Sequence, residues 1–153
     1  MLKLATLCYI KDGDKTLMLH RNKKDQDMHL GKWNGLGGKV EKGETPESCA
    51  IREVREESGL IVNRPIFRGF ITFPNFDGMN DWYVFVYRFD DFTGELTESS
   101  EGELEWISSN RMPELPLWEG DRIFMKWLDQ DKIFSAIFNY EAGRLLDWRV
   151  TWY

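Results

Sequence analysis

Three glutamates carry the strongest chemical signal in this chain. Glu53, Glu56 and Glu57 stand at i, i+3 and i+4 within REVREESGL, so on a helix their carboxylates share one face. Like charges at that spacing repel, and the last turns of a helix also disfavour anions through the macrodipole. Arg52 and Arg55 relieve part of that repulsion. An ordinary solvated helix would place Lys or Arg at this end. A local rule broken without structural gain marks a functional site, and clustered carboxylate oxygens are the preferred ligands of a hard divalent cation. A surface helix oversupplied with acids is the competing reading.

The elements that must hold these residues flank them. Gly35-Leu36-Gly37-Gly38-Lys39 is a glycine-rich loop, and Glu41-Lys42-Gly43-Glu44 is a turn. Thr45 can cap a helix and Pro46 fits its first position, so the helix is predicted over Thr45 to Ser58. Gly59 is placed to end it in a left-handed conformation. Ala50, Ile51 and Val54 form an apolar stripe for packing. Gly37 and Gly38 let the main chain approach where a side chain would block it.

With its spacing included, the stretch from Gly38 to Leu60 resembles the box of the Nudix hydrolase family. That box is a glycine, five residues, Glu, seven residues, then Arg-Glu-apolar-any-Glu-Glu-any-Gly-apolar. Here it reads Gly38, Glu44, then Arg52-Glu53-Val54-Arg55-Glu56-Glu57-Ser58-Gly59-Leu60. Every fixed position is filled, which chance rarely achieves. The resemblance implies an α+β fold, the Nudix α/β/α sandwich with a mixed β-sheet, in which the box forms a loop-helix-loop. It implies hydrolysis of nucleoside diphosphates linked to another moiety, with Mg²⁺ or Mn²⁺. Such chemistry brings water to a phosphorus shielded by anionic oxygens, where a metal neutralises charge and acidifies the water.

Carried over residue by residue, Glu53, Glu56 and Glu57 are catalytic residues and metal ligands, and the backbone carbonyl of Gly38 is a further ligand. The general base is one of the glutamates, with Glu53 favoured. Arg52 orients the carboxylates and Glu44 holds the loop. A further ligand from a loop ahead of a Trp-containing strand falls on Glu101 in ESSEGELEW; a solvated loop acid is the alternative there.

Outside the box the likeness narrows to MutT-type enzymes, particularly those related to the animal enzyme for oxidised purine triphosphates. Gly31 to Val40 (GKWNGLGGKV), Leu117 to Asp121 (LWEGD) and the hairpin from Lys132 to Val150 carry it. It implies that Asn34 and Asp121 bond a purine edge while Trp118 stacks on its face, with Gly37 and Lys39 also on the substrate side. Taken alone, Trp33 and Trp118 read as core and Asn34 as a turn residue. Gly120 stands where the animal relatives carry a second acid, which favours oxidised guanine over oxidised adenine. The expected substrate is 8-oxo-dGTP or a related purine triphosphate, cleaved to monophosphate and pyrophosphate. Another nucleoside diphosphate derivative (a nucleotide sugar, dinucleoside polyphosphate or capped RNA end) is the alternative. A silent nucleotide-sensing module would show lost box carboxylates.

Composition bounds the rest. A chain of 153 residues, 42% hydrophobic and 30% charged, suits one domain over 1–153. Seven Trp, ten Phe and five Tyr can fill a core and still line a site for a flat ligand. A net charge of -6 with no basic block argues against a nucleic acid polymer as partner, although metal ions can mask a small nucleotide's phosphates. Cys8 and Cys49 lack the spacing of a zinc or disulfide framework and are read as packing residues. His20 and His29 lack metal-ligand spacing and are read as structural or surface residues. No leader segment or membrane-length apolar run is evident, so a reduced, cytoplasmic compartment without a membrane partner is expected. Strands are predicted over Leu2–Ile10, Thr16–His20, Trp33–Leu36, Ile61–Phe73, Trp82–Phe89 and Leu104–Ile107, a second helix over Trp118–Leu128, and a site-proximal loop over Arg21–Lys32.

Overall fold

The computed structural model describes residues 1–153. Along the chain run β1 (Leu2–Asp12), β2 (Lys15–His20), β3 (Trp33–Asn34), α1 (Pro46–Ser58), β4 (Ile66–Phe73) and β5 (Asp81–Phe89). They are followed by β6 (Glu103–Ser108), α2 (Glu119–Phe124), β7 (Phe134–Glu141) and β8 (Arg144–Trp152). The sheet order is β3-β2-β1-β5-β4-β7-β8, with β6 also paired to β2. β1 runs parallel to β5 and β4 parallel to β7, while the other pairs are antiparallel, so the sheet is mixed.

Period-two alternation gives this sheet two buried faces. Cys8 and Ile10 of β1, with Tyr87 and Phe89 of β5, pack toward Ala50 and Val54 of α1. The intervening Ala5, Tyr9, Val84 and Val86 face Phe124, Trp127 and Leu128, together with Phe134, Ala136 and Phe138 of β7. Helical layers thus cover both faces of the central strands, the α/β/α arrangement expected of the chain. No helix is long and apolar enough to cross a membrane.

α1 forms where its caps demand. The Thr45 hydroxyl accepts the Ser48 amide at 3.0 Å, and the Ser48 hydroxyl accepts the Thr45 amide at 3.0 Å, a reciprocal capping box. Gly59 closes the helix at φ 80°, its amide bonded to the Arg55 carbonyl at 2.8 Å. The preceding glycine loop is laid antiparallel along β1. Thr6 and Cys8 donate their amides to the carbonyls of Gly38 (2.9 Å) and Leu36 (2.6 Å), and Val40 donates to Leu4 (2.9 Å). The box therefore starts from a fixed strand.

Three expectations change. The predicted strand over Trp33–Leu36 is only Trp33–Asn34, with Leu36 making an isolated bridge to Cys8 where the glycine loop turns along β1. The predicted strand over Ile61–Phe73 begins only at Ile66: Leu60 and Val62 are buried in the α1-side core, and Ile61 makes just an isolated bridge to Thr93. Pro65, which lacks an amide for a ladder, precedes the true start. The predicted helix over Trp118–Leu128 is a short α2 capped by Trp118, then a 3₁₀ segment over Met125–Asp129.

Phe124 is fully buried and meets Tyr9 and Phe138 edge-on, at centroid separations of 6.3 and 5.9 Å. Phe124→Ala is expected to lower stability by about 3–5 kcal/mol, measured by urea unfolding with an unchanged m-value.

Candidate active site

One guanidinium organises the acidic helix. Arg52 donates to both oxygens of Glu44, at 2.7 and 3.0 Å, to Glu53 at 2.8 Å and to Glu56 at 3.1 Å. It also bonds the Lys39 carbonyl at 3.1 Å. The forked pairing with Glu44 ties the turn to the helix with the geometry that favours Arg over Lys. All the ion pairs of α1 run through Arg52; Arg55, expected to share that task, takes no part.

The three glutamates diverge. Glu56 turns outward, 59% exposed, toward Arg52. Glu53 lines a cavity beside the glycine loop; burial raises its pKa, Arg52 opposes, and the charges of Glu56 and Glu101 add to the rise. Glu57 is buried and accepts the Gly37 amide at 2.7 Å. Burial, reinforced by the charges of Glu101 and Glu53, holds its carboxyl well above the usual carboxylate range despite that amide. Glu101, in the loop before β6, adds its charge to that of Glu57 and lies 3.4 Å from Arg21 and 3.6 Å from Lys24.

This donor set fits a hard divalent cation. It is all oxygen, partly desolvated and mutually repelling, and a cation relieves that repulsion. No three of the side chains close as a finished cage; Arg52 holds Glu53 and Glu56, and the Gly37 amide holds Glu57. Glycine gives the space. A Cβ on Gly38 would stand 2.5 Å from the Glu53 carboxylate, and one on Gly37, at φ 141°, would overlap the Thr6 carbonyl. The Gly38 carbonyl itself is turned toward β1, where it accepts the Thr6 amide at 2.9 Å. The Thr6 hydroxyl (3.4 Å) and the Cys49 thiol (3.7 Å) also donate to it, so a cation at this oxygen would have to displace them. The Cys49 thiol packs beneath this loop, 3.4 Å from the Lys39 carbonyl, and Cys8 is wholly buried, so both cysteines have the packing role expected of them.

From the acids a cavity of about 580 Å³ runs to a second, aromatic end. Lys39 lines its wall, with its ammonium 5.9 Å from the Trp82 ring centre. Asn34, paired with Leu19 through β3, is buried and its Nδ2 has no hydrogen-bond partner. Asp121 on α2 is also buried; desolvation pushes its pKa to about 7, opposed by the charge of Lys32. A buried polar group without a partner, such as Asn34 Nδ2, is costly, and both residues border the cavity. Trp118 meets Phe76 at 4.9 Å and Tyr140 at 5.6 Å, both edge-on. Trp33 lies elsewhere, stacked on His20 at 4.5 Å and packed against the core.

The glycine before Asp121 has a steric cause. The Gly120 amide donates to the Tyr140 hydroxyl at 2.6 Å, and a Cβ would stand 2.7 Å from that oxygen and 2.8 Å from Phe138. A second acid at this position would displace Tyr140.

Sequence reasoning passed over Phe76, Tyr140, Arg21 and His29, all of which line the cavity. Phe76 is presented by a loop fastened by Asp77, which accepts from the Met79 and Asn80 amides, Asn80 Nδ2 and Trp82 Nε1. Those bonds hold the Asp77 carboxyl well below its usual range. His29, expected to be a structural or surface residue, is in contact with Trp118.

Box, sheet and cavity agree on a class: this chain belongs to the Nudix hydrolase family, whose NUDIX domain profile matches residues 1–128. Enzymes of this family generally use a divalent metal. The chain is 36% identical to the uncharacterized Nudix hydrolase YvcI of Bacillus subtilis (strain 168), over 97% of this chain and 94% of that protein. It is 34% identical to the oxidized purine nucleoside triphosphate hydrolase of Danio rerio, over 92% and 88% respectively. Among solved structures, the MutT protein from Bacillus halodurans is 31% identical and superposes with a TM-score of 0.85 over 97% of each chain.

The Asp121 carboxyl gives a test of this geometry without substrate. Its folded pKa lies above the unfolded value, so its contribution favours folding at low pH and is lost as pH rises through about 7. Between pH 5 and 8 that loss is about 3 kcal/mol. Asp121→Asn removes it. Urea unfolding of both proteins at pH 5 and 8 should therefore show the variant gaining stability relative to wild type as pH rises.

Proposed function

We propose that this enzyme hydrolyses purine nucleoside triphosphates, with 8-oxo-dGTP foremost, to the monophosphate and pyrophosphate, using Mg²⁺ or Mn²⁺. One observation carries the reading: Asn34 Nδ2, buried without a hydrogen-bond partner, and the buried Asp121 carboxyl line, together with Trp118, the same cavity as the box carboxylate Glu53. That arrangement suits a flat, polar-edged base at one end and a charged phosphate chain at the other. The similarity to the oxidized purine nucleoside triphosphate hydrolase of Danio rerio supports it.

Oxidation of guanine at C8 turns N7 from an acceptor into a donor. A carboxyl whose pKa is about 7 can present either protonation state to that edge, and Asn34 can offer both donor and acceptor. Lys39 lines the same cavity and would meet phosphate oxygens. Glu53, Glu57 and Glu101, with Glu56 at the rim and the Gly38 carbonyl, would hold the metal. When bound, the metal supplies charge neutralisation and a more acidic water. Arg52 keeps Glu53 aligned, and Glu53 is the preferred base for the attacking water because it is cavity-facing and has a raised pKa. Glu44 anchors Arg52 in turn.

β7 and β8 lie beyond the matched residues yet continue the same sheet through β4, which supports reading 1–153 as one Nudix domain. The two free thiols favour a reducing, cytoplasmic setting. A small nucleotide, not a nucleic acid polymer or a membrane, is the partner such a cavity suits.

Four measurements check the reading. Glu57→Gln should lower kcat roughly a hundredfold or more, about 2.7 kcal/mol of barrier, in a protein that still folds. Wild type should lose activity in EDTA and regain it with Mg²⁺ or Mn²⁺. Hydrolysis in ¹⁸O-water should label the monophosphate and leave pyrophosphate unlabelled; release of inorganic phosphate would refute the assigned bond. In the same assay Asp121→Asn should lose roughly ten- to hundredfold in kcat/KM toward 8-oxo-dGTP and much less toward dATP. An equal loss for both would make Asp121 a structural residue.

A further inference from the structure

We propose that His29 is a positioning residue that fixes the plane of Trp118 for the base. The inference rests on reading Trp118 as the stacking residue. The Trp118 indole N–H donates to His29 Nδ1 at 2.8 Å, a contact between residues 89 apart in sequence. The two rings meet at 83°, and His29 also lies against Phe76, with centroids 6.2 Å apart and planes 25° apart. An indole nitrogen only donates, so a buried tryptophan turns to wherever an acceptor stands. Here that acceptor is a single imidazole nitrogen in the cavity wall.

His29 is itself held. Its amide donates to Asp27 Oδ1 at 2.9 Å, and the other oxygen of Asp27 takes the Arg21 guanidinium at 2.6 Å. The neck of the loop is closed by the Arg21 amide on the Lys32 carbonyl (2.9 Å) and the Gly31 amide on the Arg21 carbonyl (2.7 Å). Lys32 lies over the Trp118 ring at 5.0 Å, and Phe76 and Tyr140 press on it edge-on. The hydrogen bond to His29 is thus the one directional constraint on a ring otherwise held by non-directional packing. Nδ1 accepts only while the imidazole is neutral. Burial, with the charge of Arg21 against those of Asp27 and Glu101, favours that form by lowering the pKa to about 4.

Three variants separate this role from simple packing. His29→Leu and His29→Phe delete the acceptor, the second while keeping a flat ring; His29→Asn puts an amide oxygen near the position of Nδ1. The indole N–H resonance of Trp118, assigned by its loss in Trp118→Phe, reports the bond in the free protein. Binding of 8-oxo-dGMP, and KM and kcat for 8-oxo-dGTP, report its consequence. Both deletion variants should shift that resonance and hasten its solvent exchange. They should weaken 8-oxo-dGMP binding and raise KM roughly three- to tenfold, with kcat within about twofold of wild type. His29→Asn should restore binding and the resonance. An unmoved resonance, unchanged affinity in the deletion variants, or failure of His29→Asn to rescue where His29→Phe does would overturn the inference. Wild type that binds 8-oxo-dGMP no better than dCMP would instead refute the base reading, and this inference with it.

Discussion

The acidic face of α1 can exist because one cation is threaded through it. Arg52 reaches Glu44, Glu53 and Glu56 within 3.1 Å and stands 3.4 Å from Glu41. With 23% of its side chain exposed, these pairs are screened and contribute modestly to global stability. Their effect is geometric. They join the turn, the helix and the Lys39 carbonyl into one unit, so carboxylates that would otherwise splay apart keep a common direction. Glu57 gains no such help and depends on burial and the Gly37 amide. It therefore retains the largest unrelieved electrostatic tension at the site.

The cavity divides by how its residues are drawn from the chain. The acidic end comes almost wholly from 37–57, with Glu101 added from one loop. The aromatic end is gathered from β3, the β4–β5 loop, α2 and β7, four segments with separate attachments to the core. Its polar groups are left costly. Tyr9, buried under Gly35, has a hydroxyl without a partner, and its pKa is raised by burial and the charge of Asp121. A fold optimised for stability alone would pair or replace these groups.

This division also explains what could be read from the sequence. Helical spacing from Arg52 to Glu57, and caps at Thr45 and Gly59, are local facts, and α1 formed within a residue of its expected bounds. Strand alternation in β1 and β5 was equally visible. What spacing could not show was that Glu56 turns away while Glu57 turns inward, because that depends on the Gly37 amide. Nor could it show His29 meeting Trp118, since neither residue belongs to a periodic element and only the tertiary fold joins them. The late start of β4 is another such case. Leu60 and Val62 have strand-forming neighbours, but the core beneath α1 claimed them first. Gly120 looked like a departure from a pattern, and became intelligible only once Tyr140 was seen above it.

The parallel ladder between β1 and β5 sets an order on the birth of this molecule. Leu2 lies opposite Asp81 and Ile10 opposite Phe89. On a ribosome, β1 must wait for β5 to emerge before its parallel ladder can close, and β4 waits in turn, over a somewhat shorter stretch of chain, for Phe134 to Ile137 of β7. Long-range parallel pairing is slow and leaves strand edges exposed meanwhile. The antiparallel run of Leu36–Val40 along β1 needs no such wait. During synthesis the glycine loop can therefore close one edge of the nascent strand, and keep it closed in the finished fold, while the opposite edge still awaits β5.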